Sequence, residues 1–190
     1  MKYMIASDIH GSEYYCRKML EAWDSSGAER LLLLGDILYH GPRNDLPKDY
    51  DPKTVISLLN ERKDRIFVVS GICDADVDQM VLVFPIMADY GLICEDDITI
   101  YMTHGHILNE DNLPPLMDGD VLLHGHTHLL RADRVQVGEA GKSVVILNPG
   151  SVAIPKGGNP PTYAVLENGV FQILTFEGKM IKEMLLKKEI

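Results

Sequence analysis

Three short apolar runs, residues 2–7, 30–34 and 65–70, are separated by two segments with helical periodicity, and this order constrains the fold more than any other feature of the chain. In the first helical segment Cys16, Met19, Leu20 and Trp23 recur at i, i+3, i+4 and i+7, behind Ser12 as N-cap. Asp51-Pro52 opens the second, which carries Val55, Ile56, Leu58 and Leu59. Strand, helix, strand, helix, strand is the signature of an α/β sheet with parallel strands, whose carboxyl ends usually hold the site.

From Asp97 onward the pattern changes to closely spaced short strands, expected at 98–103, 121–124, 144–147, 163–166, 170–175 and 179–186. A second sheet is implied. No repeat, low-complexity segment or long linker divides the chain, and 190 residues with 46% hydrophobic composition suffice for one core. The expected fold is therefore α/β, with two packed mixed sheets flanked by helices in a single domain over residues 1–190.

Charge and cysteine usage narrow the function classes. A formal net charge of −10 opposes tight binding to a nucleic-acid backbone, which relies on lysine and arginine displacing counterions. The first residues form too short an apolar run for a signal peptide, and no stretch approaches a membrane span. Cys16, Cys73 and Cys94 are far apart without a CxxC pair, so a reducing cytoplasm is expected. Apolar stretches at Leu46 and at 81–84 read either as cover for the core or as an interface, and a homo-oligomer is the expectation.

The chemistry gathers where strands end. In Asp8-Ile9-His10 a carboxylate and an imidazole two residues apart can face one cation. Gly35-Asp36 closes the second strand, with Asp36 able to bridge two metals through its two oxygens. Six of the seven histidines fall in such segments: His10, His104 and His106, and His124, His126 and His128. For each alone, a satisfied core or surface histidine is the plainer reading; for the set, metal binding is.

The series Asp8-x-His10, Gly35-Asp36, Gly71-x-x-Asp74, His104-Gly105-His106 and Gly125-His126-x-His128 resembles, in order, the motifs of calcineurin-like metallophosphoesterases. The strings His40-Gly41-Pro42-Arg43-Asn44, Asn148-Pro149-Gly150-Ser151 and Ile154 to Pro160 are similar to those of the bacterial YfcE phosphodiesterase family. The resemblance implies a four-layer α-β-β-α sandwich. It implies a first metal on Asp8, His10, Asp36 and His128, and a second on Asp36, His104 and His126. It also implies hydrolysis of a small-molecule phosphodiester by a hydroxide bridging two divalent metals. Mixed carboxylate and imidazole ligands suit Mn²⁺ best, with Zn²⁺ or Fe²⁺ chemically acceptable.

Two departures bear on activity. Where the family pattern has a metal-binding asparagine after Gly71, this chain has Ile72, which has no donor atom. Cys73 is adjacent, yet alternation along a strand would turn it away from the gap. Cys73 stands where many superfamily members carry a histidine that protonates the leaving group, so good leaving groups such as phenolates are expected to be preferred. Asp74 and Arg43 complete the candidate catalytic residues, Arg43 as a bidentate phosphate clamp. His40 and Asn44 would orient the Arg43 loop, His106 and His124 would support the ligating imidazoles, and Lys156 is a weaker phosphate candidate. Because the small retromer subunit shares this motif order while serving mainly in interactions, a catalytically weak or inactive scaffold is the alternative.

Overall fold

The computed structural model describes residues 1–95, 98–138 and 141–187; Asp97, where the sequence pattern changes, lies outside them. Strand β1 (Tyr3–Ala6) leads through helix α1 (Glu13–Ser26) to β2 (Arg30–Leu33), then through α2 (Pro52–Asn60) to β3 (Ile66–Val68). Ser12 Oγ accepts the Tyr15 N–H at 3.2 Å, and Gly27 ends α1 in the left-handed conformation at φ 70°. The buried face of α1 is Cys16, Met19, Leu20 and Trp23, as its spacing predicts. Asp51 caps α2 by accepting the Lys53 and Thr54 N–H groups.

Next come α3 (Asp76–Gln79), β4 (Tyr90–Glu95), β5 (Ile98–Thr103), β6 (Val121–Leu123), β7 (Leu130–Val137) and β8 (Lys142–Pro149). The chain closes with β9 (Thr162–Glu167), β10 (Val170–Thr175) and β11 (Met180–Leu185). Two mixed sheets result, ordered β11-β10-β9-β1-β2-β3 and β4-β5-β6-β8-β7. Within the first, β1, β2 and β3 are parallel, while β9 runs antiparallel to β1 with Tyr3 opposite Leu166. The late strands thus do not all form the second sheet: β9, β10 and β11 extend the first. A strand's own residues do not name its partner, and this partition was invisible to local patterning.

Period-two alternation divides the core. Met4, Ala6, Leu31 and Leu33 face α1 and α2, whereas Ile5, Leu32 and Leu34 pack between the sheets against Ile100, Val121, Val145 and Phe171. On the outer face of the second sheet, Leu122, Val144 and Ile146 are covered by Leu113 and Leu116 of the irregular 104–120 segment rather than by a helix. The 81–84 stretch splits, Leu82 and Phe84 entering the core while Val81 and Val83 stay exposed with Leu46. Among the described residues, no helix is long and apolar enough to cross a membrane.

Candidate metal centre

The carboxyl ends of the parallel strands of both sheets meet at one point. After β1 come Asp8 and His10, after β2 Asp36, after β5 His104, and after β6 His126 and His128. Five of these six hold positive φ: Asp8 61°, His10 49°, Asp36 55°, His126 63° and His128 60°. Left-handed backbone costs a non-glycine residue of order 1 kcal/mol, so its concentration here marks a site rather than a set of turns. Backbone bonds hold the loops in register, with the Asp8 N–H on the Gly35 carbonyl at 3.2 Å and the His10 N–H on the Asp36 carbonyl at 2.9 Å. Gly71 is required by close approach, since a Cβ there would lie 2.2 Å from Asp36 Oδ1.

Three imidazoles are oriented alike. His10 Nδ1 donates to the Tyr39 carbonyl at 2.8 Å, His104 Nδ1 to that of Leu34 at 2.6 Å, and His128 Nδ1 to that of Ile154 at 2.5 Å. With the proton fixed on Nδ1, each Nε2 presents a lone pair to the carboxylates, the arrangement found in metal-ligating histidines. His10 Nε2 and His128 Nε2 stand 3.3 Å apart, and Asp8 Oδ1 lies 3.3 Å from His128 Nε2. Asp36 Oδ2 lies 3.7 Å from His10 Nε2 and 3.5 Å from His104 Nε2.

This donor set fits a cation. Asp8 Oδ1 and His104 Nε2 are buried and lack a hydrogen-bond partner among the described residues, a costly state unless something else coordinates them. Three groups of donor atoms converge: Asp8, His10 and His128; Asp8, Asp36 and His104; and His10, Asp36 and Cys73. His126 belongs to none of the three; its ring stands 5.0 Å from that of His104, and its backbone N–H donates to Asp8 Oδ2 at 3.2 Å.

Titration follows from this crowding. Burial works to raise the Asp8 pKa, but His128, His104 and His10 outweigh it and bring the carboxyl to about 2. Burial works to lower that of His128, and Asp8 with the Ile154 carbonyl lifts it above the ordinary value. His106, His124 and His126 are all shifted down by burial and stay neutral near pH 7.

The residues around the cluster take varied positions. Both Asp74 oxygens are engaged by backbone N–H groups, those of Asp36 and Ile37 at 2.9 Å and of Gly71 at 2.8 Å, so Asp74 ties the second and third strand ends together. Ile72 is 54% exposed and lines the cavity above the centre, which excludes a core role. Because β3 stops at Val68, alternation does not reach Cys73, whose side chain lines the same cavity and joins the His10 and Asp36 donors. Burial first, then the Asp36 carboxylate, pushes the Cys73 thiol up to about 12. Arg43 and Lys156 are exposed and line this cavity of about 740 Å³. Asn44 Nδ2 donates to the His40 carbonyl at 2.8 Å, bracing the loop, and the His40 ring packs edge-on to Tyr39 and Tyr50. The His106 ring lies 5.3 Å from that of His104, while His124 is buried with Nε2 3.9 Å from Glu110.

Sequence reasoning did not single out Tyr39, whose carbonyl orients His10 and whose ring lines the cavity. Nor did it assign roles within Asn148-Pro149-Gly150-Ser151. Ser151 Oγ donates to the Asp8 carbonyl at 3.0 Å and accepts the Ile154 N–H at 2.9 Å, linking Asp8 to the carbonyl that orients His128. Asn148 Nδ2 donates to the Gly125 carbonyl at 2.8 Å, fixing the turn before His126.

A family model, the calcineurin-like phosphoesterase superfamily domain, matches residues 1–169. The chain belongs to the calcineurin-like phosphoesterase superfamily. Within that superfamily it is 45% identical over 181 residues to phosphodiesterase YfcE of Escherichia coli strain K12, covering 95% of each chain. The solved structure of the E. coli phosphoesterase YfcE superposes with a TM-score of 0.91 at 44% identity, covering 98% of this chain and all of that one. Vps29 of Entamoeba histolytica, solved with Zn²⁺, shares the phosphoesterase fold at a TM-score of 0.59 and 20% identity, over 98% of this chain and 100% of the other.

Proposed function

We propose that residues 1–190 act as one metal-dependent phosphodiesterase domain for small-molecule phosphodiesters. The observation that carries this reading is the shared orientation of His10, His104 and His128, each with Nδ1 on a backbone carbonyl and Nε2 towards Asp8 or Asp36. Asp8, His10, Asp36 and His128 would hold one divalent cation, and Asp36, His104 and His126 a second. Hard carboxylates mixed with imidazoles favour Mn²⁺ over softer ions. When bound, the cations supply Lewis acidity, lowering the pKa of water towards neutral and offsetting charge on phosphoryl oxygens.

The chain's own groups do the rest. Asp36 Oδ1 accepts the Cys73 N–H at 2.8 Å, which fixes the carboxylate with Oδ2 towards His10 and His104, where Asp36 would be shared between the two cations. Asp74 acts as a positioning residue, holding the Asp36 and Gly71 backbones. Arg43 and Lys156 bring positive charge to the cavity mouth, where a guanidinium can pair with two phosphoryl oxygens. The Cys73 thiol stands with the His10 and Asp36 donors, and its high pKa makes it a weak proton donor. Three free cysteines fit a reducing cytoplasm, and exposed Leu46, Val81 and Val83 support association between copies of the chain.

Ile72 favours a second reading, a scaffold with a weakened centre. Stepwise addition of Mn²⁺ to metal-stripped protein, with bound metal and aryl phosphodiester hydrolysis recorded together, separates the two. Turnover rising with bound Mn²⁺ is expected; metal binding without turnover on any phosphoester would leave the scaffold.

A further inference from the structure

Two exposed large apolar side chains line the cavity above the centre, Tyr39 at 42% and Ile72 at 54% exposure. Both stand on fixed backbone. The residues flanking Ile72 are pinned, Gly71 N–H on Asp74 Oδ2 at 2.8 Å and Cys73 N–H on Asp36 Oδ1 at 2.8 Å. The Tyr39 carbonyl accepts from His10, and its ring is braced edge-on against His40 at 4.7 Å between centroids. The two segments meet at Gly41, where a Cβ would stand 3.2 Å from Cys73 Sγ. Asp36, His126 and His128 line the same cavity, so a phosphoryl group at the centre would have an ester substituent within this apolar wall.

Solvated apolar surface on a rigid frame gains from being covered, without the ordering cost that a mobile side chain would add. We propose that Tyr39 and Ile72 form an apolar subsite for one ester group of the substrate, selecting phosphodiesters with an aromatic or otherwise apolar substituent over those with a polyhydroxylated one. The proposal rests on reading the cavity as a phosphoester site. Arg43 and Lys156 remain for the anionic part of the ligand, which confines the apolar contact to the substituent.

Rates alone would confuse this contact with leaving-group chemistry, so the test uses ligands that are not hydrolysed. Phenylphosphonate and methylphosphonate are titrated calorimetrically into the Mn²⁺-loaded protein at a pH where both are dianions. The natural chain, Ile72→Ala and Tyr39→Ala are compared. Neither isoleucine nor alanine can ligate a metal, so cation content should be equal in the first two, and melting temperatures check that the variants are folded. The natural chain should prefer the phenyl ligand, and each substitution should reduce that preference about fivefold, as expected for losing part of an apolar contact. Equal binding of the two ligands by the natural chain, or a preference unchanged in both variants, overturns the subsite while leaving the phosphoester reading intact. Failure of both phosphonates to bind overturns both.

Discussion

Cys73 donates its backbone N–H to Asp36 Oδ1 at 2.8 Å, so the residue next to Ile72 also fixes the carboxylate that the two proposed cation sites would share. The third strand end is therefore built into the centre even though Ile72 contributes no ligand.

Asp74→Ala removes the acceptor of three backbone N–H groups, at Asp36, Ile37 and Gly71. Stranded donors in a buried turn should cost about 3 kcal/mol. In a chain of this size that lowers Tm by roughly 6–12 °C. Mn²⁺ affinity should fall about 10–100-fold, as when supporting residues of metal sites are removed. Thermal denaturation of the metal-stripped protein, followed by Mn²⁺ titration at a temperature where the variant is folded, reads the two effects separately. An unchanged Tm would show that the bonds to Asp74 add nothing.

Ile72→Asn supplies an amide oxygen where the natural chain has an exposed hydrocarbon. The natural chain should bind one Mn²⁺ tightly and a second weakly, and the substitution should tighten the second on the order of tenfold. Metal analysis after dialysis against stepped free Mn²⁺ checks this. Two equally tight sites in the natural chain would mean that water fully replaces the amide.

Cys73 bears on which esters react. In the metal-free chain burial, together with the Asp36, Asp74 and Asp8 carboxylates, pushes its thiol up to about 12, and burial persists when cations offset Asp36 and Asp8, so proton donation to an alkoxide leaving group is poorer than from an imidazolium. Across matched phosphodiesters, turnover should fall steeply from aryl to alkyl leaving groups. Cys73→His should raise the alkyl rates by about 10²-fold, the lower end of general-acid catalysis, while changing aryl rates little. Equal rates for aryl and alkyl esters in the natural chain would refute the assignment.

His128 makes cation uptake depend on pH. Burial works to lower its pKa, Asp8 and the Ile154 carbonyl oppose that and raise it by more, and the net shift is upward. In the metal-free chain this pairing adds stability that is fully present below the unfolded histidine pKa and is lost as pH rises through the higher folded value. A cation must displace that proton, so Mn²⁺ affinity should climb with pH and level off only above the usual histidine range. Calorimetry in buffers of different protonation enthalpy should record proton release that shrinks across the same window. Constant release from pH 6 to 8 would contradict the His128 shift.

Much of the candidate centre could be located before any fold was known, because its candidate ligands sit within a few residues of strand ends. Asp8, His10 and Asp36 follow the first two strands, and the helical faces of α1 and α2 are written in spacing and caps. The two strands that were not anticipated, β4 and β7, are the outer strands of the second sheet. β4 alternates between exposure and partial burial, most of β7 is half-buried, and Arg131, Asp133 and Arg134 dilute the apolar signal of β7. Asp74 was noticed as part of a motif, but its work, three bonds reaching back to residues 36, 37 and 71, depends on which strands lie side by side.

By itself the sequence determined the periodicities, the caps and the choice of candidate metal-binding side chains, since each depends on neighbours within one turn or strand. Only the tertiary structure decided that β9–β11 join the first sheet, that Cys73 and Ile72 share one cavity, and that Asp36 turns a single oxygen to two histidines. Those outcomes depend on contacts between residues far apart in the chain, where the burial of two whole sheets, rather than local preference, selects the arrangement.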